Sequence, residues 1–347
     1  MNANAEDQVA GVVEDSEHGR WRLLGSRRTS FARRHEVEGL AAVSVIVVVA
    51  GTLTLGAQQT FRAAVDLVHF SVIVTDKQGT PVTGLTVDDF EVLEEGKSQT
   101  ITYFSEGDPT EGADVAEILK LHLGVALDTS GSMEQDIHEV RTAVIKFLNA
   151  NEAAVDVTLV DFDTEVRISR YAASEYARLI ERIRMRQPEG WTAFYDALGV
   201  YLNGAAGQTG QKILLVYTDG GDTRSALTYQ ELMDLLKASD VTLYVIGYLE
   251  HYSSSSRNEQ RMQLQRLAAT TGGQAFFPAS LKELDRIYEN IQREMAARYS
   301  LGYVSTDART DGAWRKVQIR LKRSDLKDTR IRSRSGYFAP YREASLP

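Results

Sequence analysis

The sequence predicts an α/β fold in which a doubly wound, mostly parallel sheet is flanked by helices. From about residue 118, candidate strands alternate with segments of helical period, which is the pattern of a parallel sheet covered on both faces. Before and after that region, the segments alternate apolar and polar side chains, as antiparallel strands do. We therefore expect the N- and C-terminal β segments to form a small β-sandwich beside the α/β domain.

The first 60 residues have the layout of an export signal. Six arginines lie between Arg20 and Arg34, and the stretch from Gly39 to Phe61 carries no charge. Within it, the apolar run Leu40 to Ala50 has the length of a signal-peptide h-region. We predict that residues 1–39 form a basic N-terminal region and that residues 40–57 form either a signal-peptide h-region or a signal-anchor helix.

The sequence leaves cleavage of this signal open. Leu55-Gly56-Ala57 offers one small residue for cleavage, but a leucine stands where a second small residue is preferred. If it is uncleaved, the stretch of roughly 20 residues can span a bilayer with the arginines inside. Either outcome places the remaining chain outside the cytoplasm, in the periplasm or envelope, secreted, or anchored to the inner membrane. The alternative to an export signal is that the apolar segment is a buried core element. A twin-arginine signal at Arg27-Arg28 is a further possibility, but Phe31 stands one residue later than the phenylalanine of that pattern.

A β-rich module is predicted for residues 62–108. Leu67 to Asp76 has strand composition, and two alternating segments follow, Asp89 to Glu94 and Gln99 to Phe104. Glu95-Gly96-Lys97 is predicted to be the hairpin turn between these two segments.

The α/β domain is predicted for residues 115–297. It begins with the apolar strand Leu121 to Leu127, and a helix follows Ser132 with apolar residues at helical spacing from Ile137 to Phe147. The other candidate strands are Val155–Phe162, Glu165–Ser169, Ile213–Thr218, Val241–Tyr248 and Gln274–Phe277, and the other candidate helices are 175–186, 194–204, 228–239, 258–270 and 281–297. The four serines Ser253 to Ser256 are predicted to be a loop.

A C-terminal β-rich segment is predicted for residues 298–341. Its candidate strands are Tyr299–Val304, Trp314–Leu321 and one near Ile331–Phe338. These strands are the second half of the expected sandwich.

Five oxygen-bearing side chains are candidates for a metal site. Asp128, Ser130 and Ser132 stand at alternate positions directly after the first buried strand, and Asp219 follows a later strand. Ligand sites in open parallel sheets gather at the carboxyl ends of the strands. Together with Thr192, the set offers two carboxylates and three hydroxyls, which suits Mg²⁺ or Mn²⁺ rather than zinc or copper.

These residues and their neighbours carry a resemblance to a known family. With Gly190-Trp191-Thr192-Ala193 and Thr218-Asp219-Gly220-Gly221-Asp222, residues from about 115 to 295 resemble a von Willebrand factor A domain with a complete metal-ion-dependent adhesion site. The resemblance implies a Rossmann-like fold, Mg²⁺ or Mn²⁺ as the bound ion, and a protein partner whose Asp or Glu carboxylate completes the metal shell. Its ligand roles fall on Asp128, Ser130, Ser132, Thr192 and Asp219.

The layout of the whole chain adds to this resemblance. An export signal, the β segment with Val87-Asp88-Asp89-Phe90-Glu91-Val92, the A domain and Gly336-Tyr337-Phe338-Ala339-Pro340 together resemble the bacterial VWFA-related proteins typified in Acidobacteria. Trp191 departs from the family, because a glycine is common at its position. An indole there would narrow the mouth of the site, which keeps open a structural envelope module whose metal locks loops.

Composition excludes several other functions. The net charge of -9 argues against a general nucleic-acid binder, and the absence of cysteine removes disulfides and thiol catalysis. No G-x-S-x-G or G-x-G-x-x-G motif occurs at the first strand, and the histidines are scattered, so we predict no catalytic residue and no enzyme. His122 is expected to be a satisfied core or edge histidine. Asp163 and Asp222 are expected to be solvated carboxylates at the rim of the site.

Two alternatives to the metal site are testable by structure. Asp128 and the two serines would be a helix cap if the serine hydroxyls accepted backbone N–H groups. Asp128 would be a nucleophile in a phosphatase of the haloacid dehalogenase class, but Ser130 occupies the position of the second Asp. The phosphate-binding lysine has no clear counterpart, because Lys212 precedes its predicted strand.

Overall fold

A computed structural model describes residues 67–107, 120–151, 154–250 and 252–341. The predicted export signal in residues 40–57 lies outside the described residues. Among the residues that are described, no helix is both long and apolar enough to cross a membrane.

The elements of the described ranges follow the predicted alternation. The strands are β1 Leu67–Thr75, β2 Phe90–Glu94, β3 Lys97–Gln99, β4 Ile101–Glu106, β5 Leu121–Asp128, β6 Asp156–Phe162, β7 Val166–Ala172, β8 Gln211–Thr218, β9 Val241–Gly247, β10 Gln274–Phe276, β11 Tyr299–Val304, β12 Trp314–Leu321, β13 Arg330–Arg332 and β14 Gly336–Phe338. The α-helices are α1 Ile137–Asn149, α2 Tyr176–Met185, α3 Phe194–Ala205, α4 Tyr229–Ala238, α5 Ser254–Thr270 and α6 Leu281–Ala296.

A six-stranded sheet forms the centre of the α/β region, in the order β10-β9-β8-β5-β6-β7. All pairs are parallel except β6 with the edge strand β7. Helices α1, α2 and α6 pack on one face, and α3, α4 and α5 pack on the other. This is the predicted doubly wound α/β fold, and the prediction is confirmed.

Burial on both faces explains the continuous apolar run of the central strands. In β5, Leu123, Val125 and Leu127 belong to one core, whereas Ala126 belongs to the other. Gly124 faces the second core at a close approach, because a Cβ there would lie 2.3 Å from Cε2 of Tyr201. Any larger residue at this position would push α3 away from the sheet.

The two flanking β segments contribute to two four-stranded sheets, in the orders β13-β1-β11-β4 and β14-β12-β2-β3. Phe70 and Val72 from the N-terminal flank and Tyr299 and Val317 from the C-terminal flank share one core. The predicted sandwich therefore forms, and each of its sheets combines strands from both flanks.

Several local predictions were wrong. Glu95 and Gly96 turn the chain with positive φ angles of 47° and 79°, but the strand that returns is the short β3, and β4 pairs with β11 in the other sheet. The predicted strand 331–338 is divided between β13 and β14, which lie in different sheets. Ser254 to Ser256 begin α5 instead of forming a loop, because the hydroxyl of Ser253 caps the helix.

Candidate metal centre

The topology of the central sheet brings two carboxylates to one edge. Strands β5 and β8 are parallel neighbours, with Leu127 opposite Tyr217. Asp128 is the last residue of β5, and Asp219 follows the last residue of β8. Both residues are buried, with relative exposures of 0% and 5%.

Asp128 organises the loop that follows β5. Its Oδ1 accepts the backbone N–H of Ser130 at 2.9 Å, and its Oδ2 accepts the hydroxyl of Thr218 at 2.6 Å. The hydroxyl oxygens of Ser130 and Ser132 lie 3.1 Å apart. Ser130 makes no side-chain capping hydrogen bond to the 3-10 turn that follows, Gly131–Gln135. The helix-cap alternative is therefore not supported.

The loop that carries Thr192 is bonded directly to this first loop. The backbone N–H of Gly131 donates to the carbonyl of Gly190 at 3.1 Å, and the N–H of Glu189 donates to the carbonyl of Thr129 at 2.9 Å. Thr192 itself is buried. Main-chain hydrogen bonds therefore hold the loop of Thr192 against the loop that carries Ser130 and Ser132.

The loop that follows Asp219 is bonded to the Thr192 loop in turn. The N–H of Thr192 donates to the hydroxyl of Thr223 at 3.0 Å, and the N–H of Thr223 donates back to the carbonyl of Thr192 at 2.9 Å. The carboxylate of Asp222 accepts the N–H of Tyr195 at 3.1 Å. Three loops that are distant in sequence are therefore joined at the carboxyl edge of the sheet.

The electrostatics of this edge are consistent with a cation. Burial first, and then the negative charge of Asp219, raise the pKa of Asp128 to about 7, although hydrogen bonds from Ser130 and Thr218 oppose these two effects. No cationic side chain is among these influences. Two adjacent buried carboxylates fit a divalent ion, whose charge they would balance.

The donor set also fits a hard ion. Within the described residues, no group of three His, Cys, Asp or Glu side chains could hold a metal. The candidate centre therefore depends on its hydroxyl groups as well as its two carboxylates. Ser132 is exposed, in contrast to Asp128, Ser130, Thr192 and Asp219, so the centre opens to solvent on the side of Ser132.

An ion-paired cluster that sequence reasoning missed lies beside the centre. Asp161 accepts Arg167 Nε at 2.7 Å and Arg182 Nη2 at 3.1 Å, and Asp163 is paired with Arg167 and with Arg186 at 3.0 Å. Asp163 is buried, so its expected role as a solvated rim carboxylate was wrong. Its carbonyl accepts the N–H of Ala193 at 2.8 Å, which connects the cluster to the Thr192 loop.

The structure also places three other residues whose surroundings were predicted from the sequence. Asp222 was also expected to be a solvated rim carboxylate, but it accepts hydrogen bonds from Tyr195 and Ser225. His122 is a satisfied histidine, as predicted, with Asp156 and the carbonyl of Thr209 each at 3.0 Å. Lys212 lies inside β8 near its amino end, not before the strand.

Two aromatic residues flank the centre. Trp191 precedes Thr192 and is 65% exposed, and its backbone N–H donates to the hydroxyl of Thr164 at 2.9 Å. Burial first and then the charges of Asp219 and Asp128 raise the pKa of Tyr252 to about 12, which places this phenol near both carboxylates.

A cavity of about 760 Å³ opens elsewhere in the molecule. Leu202, Leu235 and Val241 line it at the amino ends of the parallel strands, together with Val304 and Phe338 of the sandwich. It contains none of the five candidate ligands, so this cavity is separate from the candidate centre.

Comparison with known proteins agrees with this architecture. Residues 122–290 match the family model of the von Willebrand factor type A domain, and we refer to them as the A domain. A search of curated proteins found no match to the chain.

Solved structures that match part of this chain come from several bacteria. An aerotolerance-related membrane protein from Bacteroides fragilis NCTC 9343 is 16% identical, with a TM-score of 0.41 over 50% of this chain and 98% of its own. A von Willebrand factor type A protein from Catenulispora acidiphila is 12% identical, with a TM-score of 0.42 over 65% of this chain and 68% of its own. The pilus adhesin SpaC from Lactobacillus rhamnosus GG is 11% identical, with a TM-score of 0.44 over 80% of this chain and 51% of its own.

Proposed function

We propose that this chain is an exported protein-binding module whose A domain holds Mg²⁺ or Mn²⁺ at one surface site. In this proposal Asp128, Ser130, Ser132, Thr192 and Asp219 are the protein ligands. A partner protein completes the metal shell with the carboxylate of an Asp or Glu. The single observation that carries the proposal is that three hydrogen-bonded loops bring these side chains to one edge of the sheet.

The charge and type of the donors support a binding role. Two carboxylates roughly cancel a divalent charge, and neutral hydroxyls complete the set without adding further negative charge. When bound, such an ion would attract an anionic side chain from a partner. The exposed Ser132 provides the open side from which that side chain approaches.

The phosphatase alternative is disfavoured by the contacts of its required residues. Ser130 occupies the position where such a phosphatase needs its second Asp as acid and base. Lys212 forms an ion pair with Asp240 at 2.6 Å near the amino end of β8, at the opposite edge of the sheet from Asp128. A structural module whose metal locks loops stays the second candidate, since the same three loops meet at the site.

Calorimetry on the purified full chain tests the metal proposal. Mg²⁺ or Mn²⁺ should bind the wild type, and Asp219→Ala should weaken binding far more than Ser130→Ala. The reason is that water replaces a neutral hydroxyl, whereas loss of a carboxylate removes Coulomb attraction. Absence of divalent-ion binding to the wild type, or equal binding by the Asp219→Ala variant, would contradict the proposal.

Export and partner binding are tested separately. A periplasm-dependent reporter fused after the C-terminus should be active, and a reporter signal confined to the cytoplasm would refute export. Partner binding should require the metal, because the carboxylate of the partner binds only to the loaded site. A site that binds metal but no carboxylate would favour the structural module instead.

A further inference from the structure

The loop from Glu189 to Ala193 is held by its main chain. The N–H groups of Glu189, Trp191, Thr192 and Ala193 donate to four different groups, namely the Thr129 carbonyl, the Thr164 hydroxyl, the Thr223 hydroxyl and the Asp163 carbonyl. Gly190 has a positive φ of 71°, and a Cβ on it would lie 2.4 Å from Oγ1 of Thr164. A loop bonded this densely has one conformation.

This fixed loop presents a large apolar side chain to solvent. Trp191 is 65% exposed, whereas Trp314 in the sandwich packs edge-on against Phe338 at a centroid distance of 5.0 Å. Exposure of an indole forgoes the stabilisation that its burial would give. An exposed and rigid tryptophan is the type of residue that dominates binding energy at protein interfaces, because little ordering is needed on binding.

We infer that Trp191 determines which acidic partners the candidate metal site accepts. Its indole selects a carboxylate that is accompanied by an aromatic or aliphatic group, which packs against the ring while the carboxylate meets the metal. A carboxylate surrounded only by polar groups gains nothing from the indole. The inference rests on the proposed function, since it names the partner chemistry of the same site.

Two considerations support this assignment. The carbonyl of Gly190 accepts the N–H of Gly131, which lies between the candidate ligands Ser130 and Ser132. Trp191 stands between this contact and the candidate ligand Thr192, so the residue that carries the indole borders the site. The main-chain bonds of the loop do not involve the indole, so its removal leaves the ligand Thr192 held by Thr223 and Ala193 held by Asp163. The side chain is therefore dispensable for the loop and available to a partner.

Binding of two small carboxylates tests the inference on the full chain loaded with Mg²⁺. The probes are acetate and phenylacetate, which share the carboxylate and differ in the aromatic group. Titrations followed by NMR of the probe should show phenylacetate binding about threefold to tenfold more tightly, the factor expected for one aromatic contact. With Trp191→Ala the two affinities should become equal, while the acetate affinity is unchanged. Trp191→Phe should retain part of the preference.

Two controls separate the possible outcomes. Leu235→Ala removes an exposed apolar side chain at the opposite edge of the sheet and should leave the preference intact. Chelation of Mg²⁺ should abolish the binding of both probes. Equal wild-type affinities for the two probes would overturn the inference and leave the proposed function standing. Binding of Mg²⁺ without binding of either probe would overturn the partner-binding function itself. A Trp191→Ala variant that loses Mg²⁺ or acetate affinity would show that the indole supports the loop.

Discussion

Two pairs of buried carboxylates lie at the same region of the A domain, and their surroundings differ in charge. Asp161 and Asp163 are neutralised by three arginines, of which Arg167 and Arg186 contact both carboxylates. Asp128 accepts hydrogen bonds from a hydroxyl and a backbone amide, and the charge of Asp219 raises its pKa. Guanidinium groups compensate the first pair, whereas the hydrogen bonds to Asp128 come from neutral donors.

The electrostatic contrast shows in the pKa values of Asp163 and Asp128. Burial raises the pKa of Asp163, but hydrogen bonds from Arg167 and from the Glu165 backbone, with the charges of Arg167 and Arg186, bring it below its usual value. Asp128 is more deeply buried, the charge of Asp219 adds to the effect of burial, and its pKa rises. The opposite shifts therefore follow from the deeper burial of Asp128 and from the guanidinium groups beside Asp163.

The largest expected effect comes from removing the compensation of the first pair. Arg167→Met leaves Asp161 with Arg182 and Arg186, and Asp163 with Arg186 alone. It should lower the free energy of unfolding by about 3 kcal/mol, because buried charge is left without its full complement. Urea denaturation in the presence of a chelator measures this loss. Asp219→Asn, in the same chelator, should raise the free energy of unfolding, since it removes like-charge repulsion from Asp128.

An exposed ion pair provides the matched control. Arg178 and Glu175 form a pair whose side chains are 76% and 40% exposed, so Arg178→Ala should change the free energy of unfolding by less than about 1 kcal/mol. If Arg167→Met were as mild as Arg178→Ala, the first cluster would not be a compensated buried pair. If Asp219→Asn were destabilising in chelator, the second pair would not be in electrostatic conflict.

The second prediction concerns His69, a titratable side chain that lies near several cationic side chains. Burial first, and then the charges of Arg334, Arg298 and Lys212 against the opposing Asp240, lower the pKa of His69 to about 4. The unfolded chain takes up this proton below about pH 6.5, whereas the native protein does so only near pH 4. Native stability should therefore fall as the pH drops from 6.5 to 4, and His69 should contribute about 2 kcal/mol of that fall, because the half-buried ring is partly screened.

Comparison with a non-titrating ring isolates this contribution. His69→Phe keeps a ring in β1, and the Nε2 atom that it removes is buried without a hydrogen-bond partner in the described structure. The difference in unfolding free energy between wild type and variant should change with pH only between 4 and 6.5. A difference that is constant over this interval would contradict the lowered pKa.

The candidate site could be predicted from sequence because its signals are local and the sheet is parallel. Asp128 and Asp219 each follow an apolar strand, and carboxyl ends of parallel strands meet at one edge. The arginine cluster could not be predicted in the same way. It joins Arg167 on the antiparallel edge strand β7 to Arg182 and Arg186 at the end of α2, and no sequence pattern states that these two elements meet.

The strand pairing of the sandwich could not be predicted from the sequence either. Alternation of apolar and polar residues predicts that Leu67–Thr75 and Tyr299–Val304 are strands, but not that they pair with each other. Which of the two sheets receives β4 depends on packing across the shared core, where Phe104 meets Phe90 and Tyr299. Strand periodicity is a property of a segment, whereas strand partners are a property of the assembled core.

The smallest expected effect tests the hydroxyl support of Asp128. Thr218→Val keeps the shape of a fully buried side chain but removes the donor to Asp128 Oδ2 at 2.6 Å and the acceptor of the Gly220 N–H at 3.0 Å. The free energy of unfolding in chelator should fall by about 1 kcal/mol, the typical worth of a hydrogen bond. Thr158→Val is the control, since this buried hydroxyl accepts only a long hydrogen bond of 3.4 Å from Arg170, and its loss should cost less. Equal losses for the two variants, measured by urea denaturation, would mean that Asp128 relies on its remaining Ser130 contact and that Thr218 does not belong to the centre.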